Sequence, residues 1–293
     1  MQVLTEIQRN MLIASIMGDG EITKLYPGSR RKNNSYREHY GVEQKAYREW
    51  KVSYFDKFLY LTEKSNTVRS KSDPLFTEWF PQFYDKNGQK YIPLSMLTSC
   101  TLPHFLAVLY MDDGSLCITK RKNERNRRIY LSPSISLYLQ CYSYEDLDAL
   151  RKHCFHTFGI ELSFSKRKDG LNYILKTTTV KATLAFLKVI QEVTLTCPSM
   201  YYKTNWSYRF KREKGVFAES EPSYTIISSD SERHRDYTTE EVKKLILLKQ
   251  EGKTINEIAK ILNRSYWSVV YKWKHINEIN DNEKNNSNST IQK

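Results

Sequence analysis

Two stretches of this chain share a plan that few folds can absorb: "MLIASIMGDGEI" at residues 11–22 and "FLAVLYMDDGSL" at residues 105–116. Each is a run of mostly apolar or small residues that ends in Asp-Gly, with an apolar residue two places further on. Neither run carries a charge ahead of its carboxylates, so each predicted helix should be buried on more than one side. Ala14 and Gly18 stand one turn apart and would let a partner helix come close. If the two helices pack together, Asp19 and Asp113, 94 positions apart in the chain, meet at helix ends that already carry partial negative charge. Two carboxylates about 4 Å apart repel by roughly 4 kcal/mol at an effective dielectric of about 20. A raised pKa, a lysine or a bound cation must relieve that repulsion.

The duplication extends beyond the two helices. Thr5-x-x-Gln8 predicts a capped helix running to Asp19, with Gly20 free to close it in the left-handed conformation. Pro103 suits the first turn of the counterpart, which ends at Asp113-Gly114. Each helix leads into a basic segment, "RRKNNSYREHYGVEQ" or "KRKNERNRRIYLSPSISLYLQ". In the second, Ile129, Leu131, Ile135, Leu137 and Leu139 fall at odd positions, the period of a strand or hairpin with one buried face. A glutamine follows, Gln44 or Gln140, and then an amphipathic helix. The plan of helix, basic hairpin, glutamine and helix therefore occurs twice, over residues 1–100 and 101–210. Residues 211–236 are polar and predict a linker, although "SYTII" could add a short strand. Residues 237–275 predict a small helical module, and 276–293 a disordered tail.

The formal charge of +13 and a pI near 9.3 ask for a polyanionic partner, with nucleic acid ahead of an anionic membrane surface. The longest apolar run, within residues 102–111, is too short to cross a bilayer, and the N-terminus shows no signal-peptide pattern. Five cysteines, at 100, 117, 141, 154 and 197, form no CxxC pair. That usage predicts reduced thiols in a cytoplasm, bacterial or phage-infected, or in an organelle matrix, and not a secreted protein. The basic segments offer Arg30, Arg31, Lys32 and Arg37 beside the first hairpin and Lys120, Arg121, Lys122, Arg125, Arg127 and Arg128 along the second. Each phosphate they neutralise would add about −0.9 to the slope of log affinity against log salt. Arginines that reach base edges would favour guanine. A pair of carboxylates at such a surface suits a hard divalent ion. An ion bridging a phosphate can activate water and stabilise a leaving oxygen.

"LIASIMGDG" and "LAVLYMDDG" resemble the two motifs of a single-chain LAGLIDADG homing endonuclease. The likeness covers roughly residues 5–205 and includes "EWFPQFYDKNGQKYIP" and "CPSMYYK". The resemblance implies an α+β fold of two pseudo-symmetric αββαββα repeats whose saddle-shaped antiparallel sheets straddle double-stranded DNA in the major groove. It implies cleavage of a long target site with short 3′ overhangs by a monomer that carries both halves of the site. By the same resemblance Asp19 and Asp113 bind two or three Mg²⁺ or Mn²⁺ ions. Lys90 and Lys203 stand near the attacking water or the scissile phosphate, and Gln44 and Gln140, at strand ends, order water around the ions. The chain departs from the motif at Val108, where a small residue is favoured, and at Met17 and Met111, which replace an acidic residue that many members also vary.

"YTTEEVKKLILLKQEGKTINEIAKILNRSYWSVVYKWKHI" predicts three helices, a small all-α domain. Thr238 or Thr239 caps the first, Gly252 ends it, Thr254 starts the second, and Asn263-Arg264-Ser265 turns into the third. It resembles a Myb-like or helix-turn-helix DNA-binding domain. Ile258, Ala259, Leu262, Val269 and Trp273 would form its core, while Tyr266, Trp267, Val270 and Lys274 point outward from a third helix set in a major groove. "HCFH" at 153–156 lacks a second ligand pair and predicts packing or surface decoration, not zinc. No HNH signature or P-loop occurs. A start at Met1 without a nucleophilic Cys or Ser, and an end without His-Asn, argue against a self-splicing intein. The rival to an endonuclease is a binding protein of the same fold, an RNA maturase on intron RNA or a non-cleaving regulator on DNA.

Overall fold

The computed structural model describes residues 3–166, 172–229 and 237–289, and the chain divides into two compact units, 1–231 and 232–293. In the first unit the repeated plan is present element by element. The first repeat runs α1 (Glu6–Met17), β1 (Gly20–Thr23), β2 (Ser35–His39), α2 (Lys45–Ser53), β3 (Leu59–Thr62), β4 (Thr67–Ser70) and α3 (Pro74–Phe83). After a short α4 (Leu94–Leu97), the second runs α5 (Pro103–Asp113), β5 (Gly114–Asn123), β6 (Arg128–Leu137), α6 (Tyr144–Phe158), β7 (Ser163–Lys166), β8 (Tyr173–Lys176) and α7 (Val180–Thr194). The antiparallel sheets have the same order, β1-β2-β4-β3 and β5-β6-β8-β7. This is the α+β architecture that the sequence predicts.

α1 and α5 pack against each other at the centre of the unit. Every residue from Met11 to Met17 and from Phe105 to Met111 is buried, as two uncharged helices require. Val108 is fully covered in spite of its size, and Met17 and Met111 are 1 % exposed. Thr5 and Gln8 form the predicted capping box, and Pro103 occupies the first turn of α5. Buried Asn10 ties the pair together. Its amide donates to the Ser99 carbonyl and its oxygen accepts from the Leu102 N–H, just ahead of α5.

The end of α1 departs from expectation. The helix stops at Met17, not Asp19, and Gly20 opens β1 without adopting a left-handed conformation. Glycine is needed there for space: a β-carbon on Gly20 would lie 2.4 Å from the Tyr36 hydroxyl. Gly18 caps the helix, and its missing β-carbon would stand 2.8 Å from that of Asp112. Close approach of the two helices thus depends on this one glycine.

The alternation read from 129–137 is the buried face of β6, and Leu139 beyond it is also covered. Pro133 is tolerated in this central strand for a geometric reason. β6 pairs with β8 only at Ser136 and Leu137, and on the same side with a later strand at Arg128–Leu131. Pro133 falls in the gap between them, where no donor is called for.

That later strand corrects the expected linker at 211–236. After α8 (Tyr201–Thr204), α9 (Trp206–Ser220) runs through the 210 boundary, and β9 (Thr225–Ser228) adds to β6 in parallel. Trp206 and Ile226 are buried in the core of the first unit. The segment reads as polar because one face of α9 is solvated, yet its apolar residues complete the sheet. Residues 230–236 of the expected linker lie outside the described residues.

In the second unit, α10 (Thr239–Gln250), α11 (Ile255–Ile261) and α12 (Tyr266–Ser289) follow the predicted punctuation. Thr238 and Thr254 each build a capping box with the Glu three residues on. Gly252 and Asn263 take positive φ at the turns. Ile258, Ala259, Leu262 and Val269 are buried, with Trp273 packed at the edge. A half-buried ion pair between Arg264 and Glu241 fastens the second turn to α10 at 2.7 Å. The expected disordered tail is corrected as well. α12 continues through 276–289; Ile276 is buried on the module, and Lys274 and Glu278 pair one turn apart. Residues 290–293 lie outside the described residues.

Candidate functional site

The ends of α1 and α5 meet. An Asp113 carboxylate oxygen lies 3.0 Å from the position that a Gly18 β-carbon would occupy, one residue from Asp19. Two lysines reach the same spot from outside the sheets, Lys90 from the segment between α3 and α4 and Lys203 from α8. Lys90 Nζ donates to the carbonyls of Gly18 and Gly20 at 3.1 and 2.9 Å, bracketing Asp19. Lys203 Nζ donates to the Gly114 carbonyl at 3.0 Å, next to Asp113. Each lysine thus anchors on the backbone beside one aspartate, as the internal symmetry demands. Tyr142 and Tyr110 support the arrangement by donating to the carbonyls of Met17 and Lys203, each at 2.6 Å.

The charges here are far from their ordinary states. Burial, then the Asp112 and Asp19 carboxylates, pushes Asp113 up to about 7. Burial pulls Lys203 down to about 8, although Asp112, Asp19 and Asp113 all favour its charge, and burial lowers Lys90 too. No hydrogen bond from a described residue reaches the Asp113 carboxylate. A half-buried carboxylate that lacks a donor and is crowded by like charges is what a divalent cation would relieve.

The two glutamines do not sit as expected. Gln44 ends a 3-10 turn and precedes α2, and Gln140 lies in the β6–α6 loop, where its carbonyl accepts from Asn172. Neither is a strand end. Gln44 matches Ser143, the residue before α6, because each stands at the N-cap of its repeat's helix. Spacing from the aspartates alone conflated two different positions.

Sequence reasoning missed a buried ion network beneath Asp19. Asp112 has a fully buried side chain that crosses from α5 into the first repeat, through the space that Gly18 leaves open. It accepts from Tyr47 at 2.7 Å and from Lys51 at 2.9 Å. The Lys51 ammonium also donates to Ser15 at 2.7 Å and to Glu38 at 2.8 Å, which uses its three protons. Arg48 Nε lies 2.7 Å from Glu38 Oε1, an ion-pair contact with poor hydrogen-bond angle. Its Nη2 donates to Asp19 Oδ2 at 2.7 Å. Burial opposes the Arg48 charge, and Glu38 and Asp112 outweigh it, raising its pKa. Asp19, Glu38 and Asp112 bring carboxylate oxygens within 4.8 Å of one another. Arg48 and Lys51 already fill that cluster, so it is a protein ion network and not a metal cage. One signal was visible in the sequence: the doubled carboxylate Asp112-Asp113, of which only one member could face the shared site.

The sheets carry the basic residues unequally. On the open face of the first, Glu21, Arg37, Arg69 and Tyr60 form one cross-strand row. Arg37 pairs with Glu21, and Arg31 reaches onto the same face to bond Thr23 and Ser35. These residues line a groove of about 690 Å³. Arg30 and Lys32 are exposed in the loop before β2. On the second sheet, Ser115, Cys117, Thr119 and Arg121 pair with Ser136, Ser134, Ser132 and Tyr130 on the open face. Lys120 and Lys122 do not belong to it. They share the opposite face with Leu116 and Ile118, across from Leu131 and Ile129. There the Lys120 ammonium lies over the Phe217 ring, that of Lys122 over Tyr224, and both approach Glu221. The charge run hid this division, which strand alternation enforces. Arg125, Arg127 and Arg128 are exposed around the hairpin tip. In the second unit Tyr266, Trp267 and Lys274 are exposed on α12, together with Tyr271.

The model of the LAGLIDADG DNA endonuclease family matches residues 9–184. The chain belongs to that family. Among solved structures it is similar to the homing endonuclease I-WcaI bound to its DNA recognition sequence, at 22 % identity and a TM-score of 0.54, over 70 % of this chain and 88 % of that one. It is also similar to I-SmaMI bound to uncleaved DNA target in the presence of calcium ions, at 9 % identity and a TM-score of 0.45, over 76 % and 94 % of the two chains. A further likeness is the N-terminal LAGLIDADG domain of DUF199/WhiA, at 15 % identity and a TM-score of 0.35, over 63 % and 82 %. No curated protein matches. Asp19 and Asp113, at the ends of α1 and α5, both fall within the matched residues.

Proposed function

We propose that this LAGLIDADG protein is a site-specific double-strand DNA endonuclease that acts as a monomer on a long target and leaves short 3′ overhangs. The observation that carries the reading is the convergence of Asp19 and Asp113, each with a backbone-anchored lysine, at the junction of two basic sheet units. A relative in shape, I-WcaI, is a homing endonuclease bound to its DNA recognition sequence. Asp19 and Asp113 would hold two or three Mg²⁺ or Mn²⁺ ions. The ions would supply a water ionised near neutral pH and charge stabilisation at the leaving oxygen. Lys90 and Lys203, both lowered by burial and Lys203 to about 8, face the same place and can hold a phosphate oxygen or move a proton. Arg37, Arg69 and Arg121 stand on open sheet faces, where base edges would be read. The C-terminal unit, with its two capped helices and a long third one, would act as a helix-turn-helix module that lengthens the footprint. A cytoplasm or organelle matrix is the setting that reduced cysteines suit.

The test is selection from a plasmid library of randomised duplex, incubated with Mg²⁺ and sequenced at the cut ends. Recovery of one long preferred sequence with 3′ overhangs is expected. Asp19→Asn and Asp113→Asn should abolish cutting and keep binding. A wild-type protein that binds a selected duplex and never cuts it would leave a DNA-binding regulator.

A further inference from the structure

The two repeats are alike in backbone and unlike in the ground beneath their aspartates. Register from the sheets pairs Gly20 with Glu38 and Gly114 with Leu137, so Glu38 and Leu137 are counterparts. Counting from the helix caps, Gln44 and Ser143, sets Arg48 against Leu147 and Lys51 against Leu150. All six residues are buried, the leucines fully. One repeat therefore carries an ion network where the other carries an apolar core.

The difference reaches the site through a single side chain. Arg48, 1 % exposed, is gripped at Nε by Glu38 and at Nη1 by Asp112, and it stacks 4.6 Å from the Tyr47 ring. Its remaining nitrogen holds one oxygen of Asp19, whose side chain is a third exposed. Asp113 has no equivalent, because Leu147 stands in the place of Arg48. Two cations balance Glu38 and Asp112, so the network has no net demand for a further ion, and its one outward contact is the bond to Asp19.

The geometry points to Arg48 as a positioning residue of the cleavage centre. Locked by Glu38 and Asp112, it fixes the rotamer of Asp19 and commits one carboxylate oxygen, leaving the other aimed at a divalent ion. Among the described residues none donates a hydrogen bond to the Asp113 carboxylate, so an ion bound there would itself orient it. The two carboxylates are thus built unequally, one preorganised and one not. This inference rests on the proposed endonuclease reading for the identity of the site, and its test is arranged so that the two can fail separately.

Arg48→Lys retains the buried charge and removes the planar fork that spans Glu38, Asp112 and Asp19. Mn²⁺ is titrated onto the protein bound to a selected duplex made uncleavable with phosphorothioate links, and free Mn²⁺ is read from its electron paramagnetic resonance signal. Loss of a group that orients a metal ligand typically weakens the ion by about 10–100-fold, and a weakening within that range is expected at one class of site. Duplex affinity in EDTA should stay within about twofold, and cutting should recover at high Mg²⁺. A Mn²⁺ isotherm that superimposes on wild type, or is tighter, overturns the role of Arg48. If Arg48→Lys fails to fold, Asp112→Asn carries the test: it is isosteric, leaves Arg48 in place and removes one of its anchors. Weaker Mn²⁺ binding with unchanged duplex affinity then supports the inference, and unchanged Mn²⁺ binding overturns it. If wild-type protein binds no Mn²⁺ on any selected duplex, the endonuclease reading falls first, and Arg48 with it.

Discussion

Gly18 and Asp112 stand so close that a β-carbon on the glycine would meet that of the aspartate at 2.8 Å. The two residues occupy equivalent positions in the two repeats, one immediately before Asp19 and the other immediately before Asp113. The small residue in one helix is what lets the charged residue of the other cross between repeats and reach Lys51 and Tyr47. Close helix packing and the buried network are consequences of the same vacancy.

Gly18→Ala is therefore expected to lower stability by about 1–3 kcal/mol through overpacking. Urea denaturation measures the change. An alanine protein as stable as wild type would mean that the helices can part by several tenths of an ångström without loss.

Asp113 predicts a pH dependence in the metal-free protein. Its carboxyl is pushed up to about 7 when folded, against 3.8 for an ordinary aspartate. The folded chain therefore holds this proton more tightly than the unfolded chain. Stability should fall as pH rises from about 4 to about 7 and stay level above that, by on the order of 2–4 kcal/mol. Asp113→Asn removes the dependence. Denaturation in EDTA at pH 5 and pH 8 should show the asparagine protein gaining on wild type at the higher pH. Parallel stabilities at both would contradict the burial of this charge.

Lys203→Met should reduce cutting by about 10²-fold or more, the scale of a positioned proton-transfer group. Duplex affinity should change little, since a side chain 8 % exposed offers little to a partner. Single-turnover cutting at saturating enzyme separates the two quantities. Loss of affinity in proportion to loss of rate would make Lys203 a binding residue instead.

Neighbours on one strand should behave oppositely toward salt. Arg121→Ala is expected to reduce the slope of log affinity against log salt by about 1, because Arg121 lies on the open face of the second sheet. Lys120→Ala should leave the slope unchanged, since its ammonium faces Phe217 and Glu221. Equal losses in both would place α9 away from the hairpin in solution.

Truncation distinguishes the accessory unit from the end of the first. A chain ending at residue 236 should fold, bind its duplex more weakly and still cut at high enzyme concentration. A chain ending at 210 loses most of α9 and all of β9, and with them Ile226 of the core. It should melt markedly earlier or not fold. Circular dichroism melts of the two chains make the comparison.

The sequence by itself determined much of this protein. Two uncharged helices ending in Asp-Gly could only be buried together, and that pairing brought Asp19 and Asp113 to one place. Caps at Thr5, Thr238 and Thr254 and the alternation of β6 were equally legible, because each is a local rule of hydrogen bonding or strand geometry. Tertiary structure decided the rest. Arg48 and Lys51 look like the wet side of α2 until Glu38 and Asp112, from other elements, neutralise them. Lys120 and Lys122 look like the neighbours of Arg121 until α9 arrives to cover their face. A charge can be buried only where a distant part of the chain supplies its partner, and no local pattern records that meeting.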